Sequence, residues 1–202
     1  MVKKLILLAV LALALPLAAF ASSSIDISNY GGTLTGTTSG LSLTSTIFGV
    51  QGLPGGPSIG SDLGTLTFST GALTGGSLKM GGTFAGGGSF SITANGTNGV
   101  PLGAIFTGSF SGPVTWTMIT LANGTHSYTL QGPISGALGN GYQTVGATVQ
   151  LFINTGKGFF NGSVGASSGN TTIVVPEPGT VSLFGTGLIG LAGLIRRKLS
   201  LV

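Results

Sequence analysis

Few side chains in this sequence can take part in acid–base, nucleophilic or metal chemistry. The acidic residues are Asp26, Asp62 and Glu177, the single imidazole is His126, and the 202 residues include no cysteine. Charged residues make up 5% of the chain, whereas an average soluble domain has about 25%. Without thiols there is no cysteine nucleophile or thiolate metal site, and one imidazole cannot build a multi-histidine site. The composition predicts a protein that is not an enzyme and uses no metal or cofactor.

Two motifs resemble catalytic or cofactor sites but lack the context that such sites need. Gly165–Gly169 has the spacing of a nucleophile elbow around Ser167, but an α/β-hydrolase places its histidine after the serine, whereas His126 precedes it. The glycines of Gly185–Gly190 match a dinucleotide fingerprint, but they lie in an apolar segment and no acidic residue follows them. Both matches are interpreted as chance in a chain rich in glycine and serine.

The remaining titratable residues of the body also have ordinary interpretations. His126, at the start of a predicted strand, is interpreted as an exposed strand residue. Glycoside hydrolysis would require Asp26 and Asp62 to lie side by side, and Asp26 is expected near the frayed start of the mature chain. A hydrolase is therefore the least favoured class of function.

The charges cluster at the two ends of the chain. Lys3 and Lys4 lie near the start, and a basic triplet lies near the end. The body between them is neutral, with two cations and two carboxylates: Lys79, Lys157, Asp26 and Asp62. Because nucleic-acid binding needs basic side chains spread along a surface to neutralise phosphates, the sequence predicts no nucleic-acid partner.

The N-terminus has the pattern of a secretory signal peptide. Two lysines precede the apolar run Leu5–Leu15, and Pro16 and the small-x-small site of Ala19 and Ala21 follow it. A buried core helix is the alternative, but no polar residues in the run mark an amphipathic face. Residues 1–21 are therefore predicted to be a signal peptide that the Sec translocon exports and that is cleaved after Ala21.

The C-terminal segment, residues 174–202, contains three features in order. They are a Pro-Glu-Pro motif, an uncharged apolar stretch and a basic tail: Pro176, Glu177 and Pro178, then residues 181–195, then Arg196, Arg197 and Lys198. The prolines disfavour helix and sheet, so the motif is stiff and extended. The apolar stretch predicts a single transmembrane helix, which can span a thinned bilayer if the basic side chains reach the interface. The positive-inside bias places the basic tail in the cytoplasm and the body outside.

This arrangement resembles the PEP-CTERM sorting signal of exported bacterial proteins. The resemblance implies that an exosortase, an integral membrane protease similar to a transpeptidase, recognises Pro176, Glu177 and Pro178 and processes the chain nearby. It also implies release to the cell surface or matrix of a Gram-negative host that produces exopolysaccharide. The alternative is a plain C-terminal membrane anchor without a sorting enzyme. The resemblance covers only this segment and leaves the role of the body open.

The body, residues 22–173, is predicted to be one Gly-, Ser- and Thr-rich all-β domain, an antiparallel sandwich or barrel. Apolar and hydroxyl residues alternate in short runs such as Gly64–Thr70. In Pro113–Leu121 the alternation changes phase at Ile119 and Leu121, which predicts a β-bulge. The glycine content also fits a flexible low-complexity chain, but the retained alternation favours a folded domain.

Asn-Gly pairs separate the predicted strands, and Asn-Gly is typical of tight hairpin turns. The best hairpin candidate is Asn123-Gly124, between Trp116–Leu121 and Ser127–Gln131. Seven aromatic residues are expected to supply much of the core: Phe84, Phe90, Phe106, Phe110, Trp116, Phe152 and Phe159.

Together these patterns predict a non-catalytic exported protein with a structural or adhesive role. It would be held transiently in the inner membrane, with its body in the periplasm, and then sorted to the cell surface or exopolysaccharide matrix. Hydroxyl and amide side chains on the sheet faces would offer hydrogen bonds to extracellular polysaccharide. Four aromatic residues could stack on sugars, although burial in the core is favoured: Trp116, Tyr30, Tyr128 and Tyr142. The alternatives are an outer-membrane β-barrel and a surface carbohydrate-binding module.

Overall fold

The computed structural model describes residues 23–141, 143–144 and 146–175. None of these residues lies in a helix, and Ser24–Val175 form one compact unit. The prediction of an all-β body is confirmed. The strands, in chain order, are β1 (Ser23–Thr37), β2 (Gly40–Gln51), β3 (Ser58–Ser69), β4 (Leu73–Ser77), β5 (Gly81–Phe84), β6 (Gly87–Ala94), β7 (Gly103–Phe110), β8 (Val114–Thr120), β9 (His126–Leu138), β10 (Gly146–Gly156), β11 (Ser163–Gly165) and β12 (Ser168–Val175).

Eight of these strands close into an antiparallel barrel, one of the two predicted architectures. The order around the barrel is β1, β2, β3, β6, β7, β9, β10 and β12, and β12 pairs back with β1. One edge of β9 pairs with two strands in succession: its first half pairs with β8 and its second half pairs with β7. Strands β8, β5 and β4 therefore extend from the barrel as a three-stranded branch, and β11 pairs separately with β1.

The antiparallel order gives the barrel two distinct ends. Strand β1 begins and β12 finishes at the same end, which also carries the loops 52–57, 95–102 and 139–145. We call this the terminal end. The branch of β8, β5 and β4 and the loop between β10 and β11 lie toward the opposite end.

Each barrel strand buries one face and exposes the other, as the period of two requires. In β3, Leu66 and Phe68 are buried, whereas Thr65 is exposed and Thr67 is half-buried. The same alternation in β2 buries Leu41 and Leu43. The interior of the barrel is therefore mostly apolar, and hydroxyl side chains dominate the outside of these strands.

Two aromatic clusters fill the interior. Phe68, Phe90 and Phe110 contact each other with ring centroids 5.7–6.0 Å apart, and Phe106 lies 6.0 Å from Phe90. The second cluster joins the barrel to the branch: Trp116 stacks on Tyr128 at 4.7 Å, and Phe160 packs edge-on against Trp116 at 5.4 Å. The core placement predicted for Phe84, Phe90, Phe106, Phe110 and Trp116 is confirmed.

The core placement predicted for Phe152 and Phe159 is wrong. Phe152 is 45% exposed because β10 turns Leu151 and Ile153 inward, and the residue between them must face out. Phe159 is 44% exposed, whereas its neighbour Phe160 is buried. Two adjacent phenylalanines in a loop give no periodicity from which to tell the buried one.

The predicted Asn123-Gly124 hairpin is confirmed. Strands β8 and β9 pair up to Thr120 opposite His126, Gly124 has a φ of 77°, and the Asn123 carboxamide accepts hydrogen bonds from the backbone N–H and hydroxyl of Thr125. The predicted bulge is wrong, because the register of β8 against β9 runs unbroken. Ile119 and the loop residue Leu121 simply face outward, 54% and 43% exposed.

Glycine is required where β7 and β9 come together. Gly108 lies directly opposite Gly136 in the register. A Cβ at Gly108 would collide with the Ser135 carbonyl oxygen, and a Cβ at Gly136 would collide with the Thr107 carbonyl oxygen. The pair thus permits the close backbone approach of β7 and β9 in the middle of their shared register.

The barrel interior contains a small polar region beside β12. The Asn29 amide donates to the Ser45 hydroxyl at 2.8 Å, and that hydroxyl donates to the Tyr30 carbonyl at 2.9 Å. The fully buried hydroxyl of Thr171 has no hydrogen-bond partner among the described residues. A buried hydroxyl without a partner costs stability.

Candidate functional site

The residues that the sequence assigns to targeting lie outside the described ranges: Ala19, Ala21, Pro176, Glu177, Pro178, Arg196, Arg197 and Lys198. Their roles, the boundaries at residues 21 and 173, and the helix at 181–195 stay predictions. Strand β12 ends at Val175, immediately before the Pro-Glu-Pro motif. Across the ranges that the structure describes, no helix has the length and hydropathy needed to cross a membrane.

His126 is buried, so its predicted exposure is wrong. It is 8% exposed at the start of β9. Its Nδ1 lies 3.0 Å from the Thr120 hydroxyl, and its ring stacks on Phe159 with centroids 4.2 Å apart. The side chain therefore packs the end of the β8–β9 hairpin. Ser167 is exposed between β11 and β12, and its N–H donates to the Phe152 carbonyl.

The two carboxylates of the body lie on different strands and have separate partners. Asp26 lies within β1 rather than in a frayed end, which corrects the expectation, because its carboxylate accepts a hydrogen bond of 2.6 Å from the Thr172 hydroxyl of β12. Asp62, on β3, accepts the N–H of Gly64 at 3.1 Å. Within the described part of the chain, no three His, Asp or Glu side chains gather into a group that could hold a metal.

The four candidate stacking aromatics divide between core and surface. Trp116 and Tyr128 are buried, and their polar atoms donate to the backbone carbonyls of Leu78 at 2.9 Å and Lys79 at 2.7 Å. Burial is thus confirmed for these two. Tyr30 is instead 43% exposed, and Tyr142 lies outside the described residues.

The most regular surface feature is a net of hydroxyl side chains on the outer face of β1, β2, β3, β6 and β7. The strand registers align these side chains in three rows that run across the strands. The first row contains Thr35, Ser42, Ser69 and Ser89, the second contains Thr33, Thr44, Thr67, Ser91 and Thr107, and the third contains Thr46, Thr65 and Thr93. We call these residues the hydroxyl face. Neighbours lie about 4.8 Å apart across strands and about 6.8 Å apart along them.

The rows differ in how far their hydroxyls are already bonded. In the first row, Thr35 bonds Ser42 at 2.8 Å and Ser69 bonds Ser89 at 3.0 Å. In the second row, the hydroxyls of Thr44, Thr67 and Ser91 make no hydrogen bond to other described residues. Because each hydroxyl can donate one hydrogen bond and accept two, the second row offers unused donors and acceptors to a ligand.

An open groove of about 560 Å³ lies on the hydroxyl face, and its lining also includes Leu43 and Phe68, whose side chains are buried in the barrel. The hydroxyl residues in its lining come from the first two rows: Thr33, Thr35, Ser42, Thr44, Thr67 and Ser89. No charged side chain lines it. Beside the third row, Tyr30 and Phe48 form an exposed edge-to-face pair with centroids 5.6 Å apart, and the Tyr30 hydroxyl donates to the Ser61 carbonyl.

Sequence reasoning missed the groove and the role of Phe48. The alternation of Thr and Ser with apolar residues identified an outward hydroxyl face on single strands, but only the register between strands shows which hydroxyls form rows. Phe48 lies in phase with Ser42, Thr44 and Thr46 on the outward face of β2, at the register shift between Ile47 and Gly49. Its ring is therefore exposed next to Tyr30, at a position where the preceding outward residues of β2 carry hydroxyls.

Comparison with known proteins identifies only the C-terminal segment. Residues 174–198 match the PEP-CTERM protein-sorting motif, which confirms the resemblance. The motif implies an exported protein that an exosortase processes and that is sorted through the membrane to the cell surface. No curated protein and no solved structure matches the chain. The match begins at Val174, inside β12, and leaves the barrel unassigned.

Proposed function

We propose that this chain is a non-catalytic surface protein whose barrel binds neutral polysaccharide through the hydroxyl face. The PEP-CTERM protein-sorting motif supplies the destination. The single observation that carries the proposal for the barrel is the uncharged groove lined by hydroxyls of the first two rows. The role is structural or adhesive: the protein attaches to the exopolysaccharide of the matrix.

The chemistry of the hydroxyl face suits a neutral glycan. Sugar hydroxyls both donate and accept hydrogen bonds, as do the free hydroxyls of Thr44, Thr67 and Ser91. Without a charged side chain in the lining, the groove gives an acidic or basic ligand no electrostatic partner. The exposed rings of Tyr30 and Phe48 add apolar surface beside the third row, on which the C–H face of a sugar can pack. Such a site is weak on its own, and many copies on one surface raise its avidity.

The route to the surface follows from the two ends of the chain. The Sec translocon exports the chain, and a signal peptidase cleaves after Ala21. The helix at 181–195 then holds the protein in the inner membrane, with Arg196, Arg197 and Lys198 in the cytoplasm. The exosortase recognises Pro176, Glu177 and Pro178 and releases the barrel. The support for this order is the sequence of segments along the chain, in which the strands of the barrel run to Val175 and the Pro-Glu-Pro motif of the matched segment follows at Pro176.

The hydroxyl face also argues against the outer-membrane alternative. A barrel embedded in lipid presents an apolar band outward and has a polar interior. This barrel has the opposite arrangement, because Leu66 and Phe68 are buried while the hydroxyls of Thr44 and Thr65 face out. The observations therefore favour the carbohydrate-binding alternative among those that the sequence left open.

Retention on immobilised polysaccharide tests the proposal. The full chain in mild detergent is passed over neutral polysaccharide from the host matrix, and the glycan-free resin is the blank. Thr44→Glu places a charge in the groove, and the matched control Thr148→Glu makes the same change at an exposed position on β10. We expect the parent and Thr148→Glu to be retained and Thr44→Glu to bind about tenfold more weakly, since desolvating the charge and losing a hydrogen bond cost about 1.4 kcal/mol or more. The proposal is contradicted if the column retains both variants equally, or if it does not retain the parent protein.

A further inference from the structure

The two most exposed large hydrophobic side chains of the described residues lie at the terminal end of the barrel. Ile59, at the start of β3, is 79% exposed, and Leu102, at the end of the β6–β7 loop, is 80% exposed. Both are solvated almost as fully as in an unfolded chain. Single exposed apolar side chains are common on proteins, but large ones that share a fixed backbone support can act together as an interaction surface.

Hydrogen bonds fix the start of β3 and the β6–β7 loop, which carry these side chains. The Ser58 hydroxyl donates to the Asn98 carbonyl at 2.9 Å, and the Asn98 amide donates to the Ile59 carbonyl at 3.2 Å. The side chains of Asn95 and Thr97 donate to the Asp62 carbonyl. Val100, between them and Leu102, is buried. The two segments therefore form one platform, and its exposed apolar residues do not result from a loosely held loop.

The position of the platform indicates what covers it. The chain enters β1 and leaves β12 at this same end, and Pro176 follows directly after Val175. A chain tethered through residues 181–195 has only a few residues between that tether and the barrel. Residues 176–180 separate β12 from that tether, and five residues reach at most about 18 Å when fully extended. The tether therefore keeps the terminal end near the membrane surface. The cations Lys79 and Lys157 lie outside the terminal end, in the segments after β4 and β10.

We propose that the platform of Ile59 and Leu102 contacts the lipid surface while the protein is tethered. This inference rests on the tether of the proposed function. Apolar side chains carried by a surface loop can enter the headgroup boundary of a bilayer. The charged side chains near this end, among the described residues, are the carboxylates of Asp26 and Asp62, and no cation there attracts the platform to anionic lipid, so the contact does not require anionic lipid.

Site-specific fluorescence tests this contact, and the absence of native cysteine makes labelling simple. The full chain is reconstituted into phosphatidylcholine vesicles, with and without phosphatidylglycerol, and labelled at Pro57→Cys on the platform or at Ala122→Cys in the β8–β9 turn. Both positions are exposed. We expect a quencher attached to the lipid to quench the label at 57 in both lipid mixtures and to leave the label at 122 unquenched. Changing Ile59→Ser and Leu102→Ser together should lower the lipid-contacting fraction about tenfold, since each side chain loses its apolar transfer energy.

The outcomes separate the inference from the proposed function. If the chain floats with the vesicles but both labels are quenched equally or not at all, the lipid contact is refuted and the tether stands. An unchanged signal in the double serine variant also refutes it, as does efficient disulfide cross-linking of Pro57→Cys between copies, which would show that a second copy covers the platform. If the chain does not float with the vesicles, the tether fails and the inference fails with it.

Discussion

The buried hydroxyl of Thr171 provides a sharp test of the barrel interior. Valine has nearly the shape of threonine, so Thr171→Val replaces an unpartnered hydroxyl with a methyl group and leaves the packing unchanged. A buried polar group without a hydrogen bond costs about 1–3 kcal/mol. We therefore expect the free energy of unfolding to rise by about 1–2 kcal/mol, and the melting temperature by about 2–8 °C for a domain of this size.

The next residue supplies the control. Thr172 lies on the same strand, but its hydroxyl donates to the Asp26 carboxylate at 2.6 Å. Thr172→Val breaks that bond at a half-buried position and should lower the free energy of unfolding by about 1 kcal/mol. The same Thr→Val substitution is thus expected to raise the free energy of unfolding at position 171 and to lower it at position 172.

Urea unfolding followed by tryptophan fluorescence measures both changes. Trp116 is the only tryptophan and is 1% exposed in the core, so its emission reports the loss of tertiary structure. An unchanged or lower unfolding midpoint for Thr171→Val, with the slope of the transition unchanged, would show that this hydroxyl has a partner and that the described interior is wrong.

Two further predictions test the close strand approach and the corrected core. Gly136→Ala should lower the free energy of unfolding by about 3 kcal/mol or more, because the new Cβ meets the Thr107 carbonyl. The control Gly75→Ala, with open space around it, should change the free energy of unfolding by less than about 0.5 kcal/mol. Urea midpoints measure both variants, and similar losses of stability would contradict the register of β7 and β9. Phe160→Ala should cost about 3–5 kcal/mol, whereas Phe159→Ala, at a half-exposed ring, should cost about 1 kcal/mol. Thermal melts measure both losses, and a larger loss for Phe159→Ala than for Phe160→Ala would support the sequence-based prediction that Phe159 lies in the core.

The sequence predicted the class of the fold because period-two alternation survives between the glycines. It also located the Asn123-Gly124 turn, since that dipeptide tolerates a positive φ at its glycine. Barrel closure could not be predicted, because it depends on which edges meet, and here β9 pairs with three strands. The position of Phe152 was predictable in principle: its neighbours Leu151 and Ile153 share the opposite face. Phe152 was nevertheless assigned to the core because its side chain is large and aromatic, although the alternation of β10 places it on the outward face.

The candidate sites also differ in how far they could be predicted from the sequence. The sorting motif is a local pattern, so residues 174–198 could be identified from sequence alone. The groove is not local, because its hydroxyls come from four strands whose register sets the rows. The platform at the terminal end depends on hydrogen bonds between segments that are far apart in sequence, such as Ser58 with Asn98. Composition indicated polar loops there and gave no reason to expect exposed Ile59.

The intact mass of the mature protein from its native host tests the central claim most directly. If the C-terminal segment is a sorting signal, the mass should correspond to a chain that begins at Ser22 and ends within Pro176–Gly179, with any group that the exosortase attaches there. The barrel up to Val175 is then complete, and residues 181–195 are absent. A mass that still contains residues 181–198 would contradict release by sorting and leave a permanent membrane anchor.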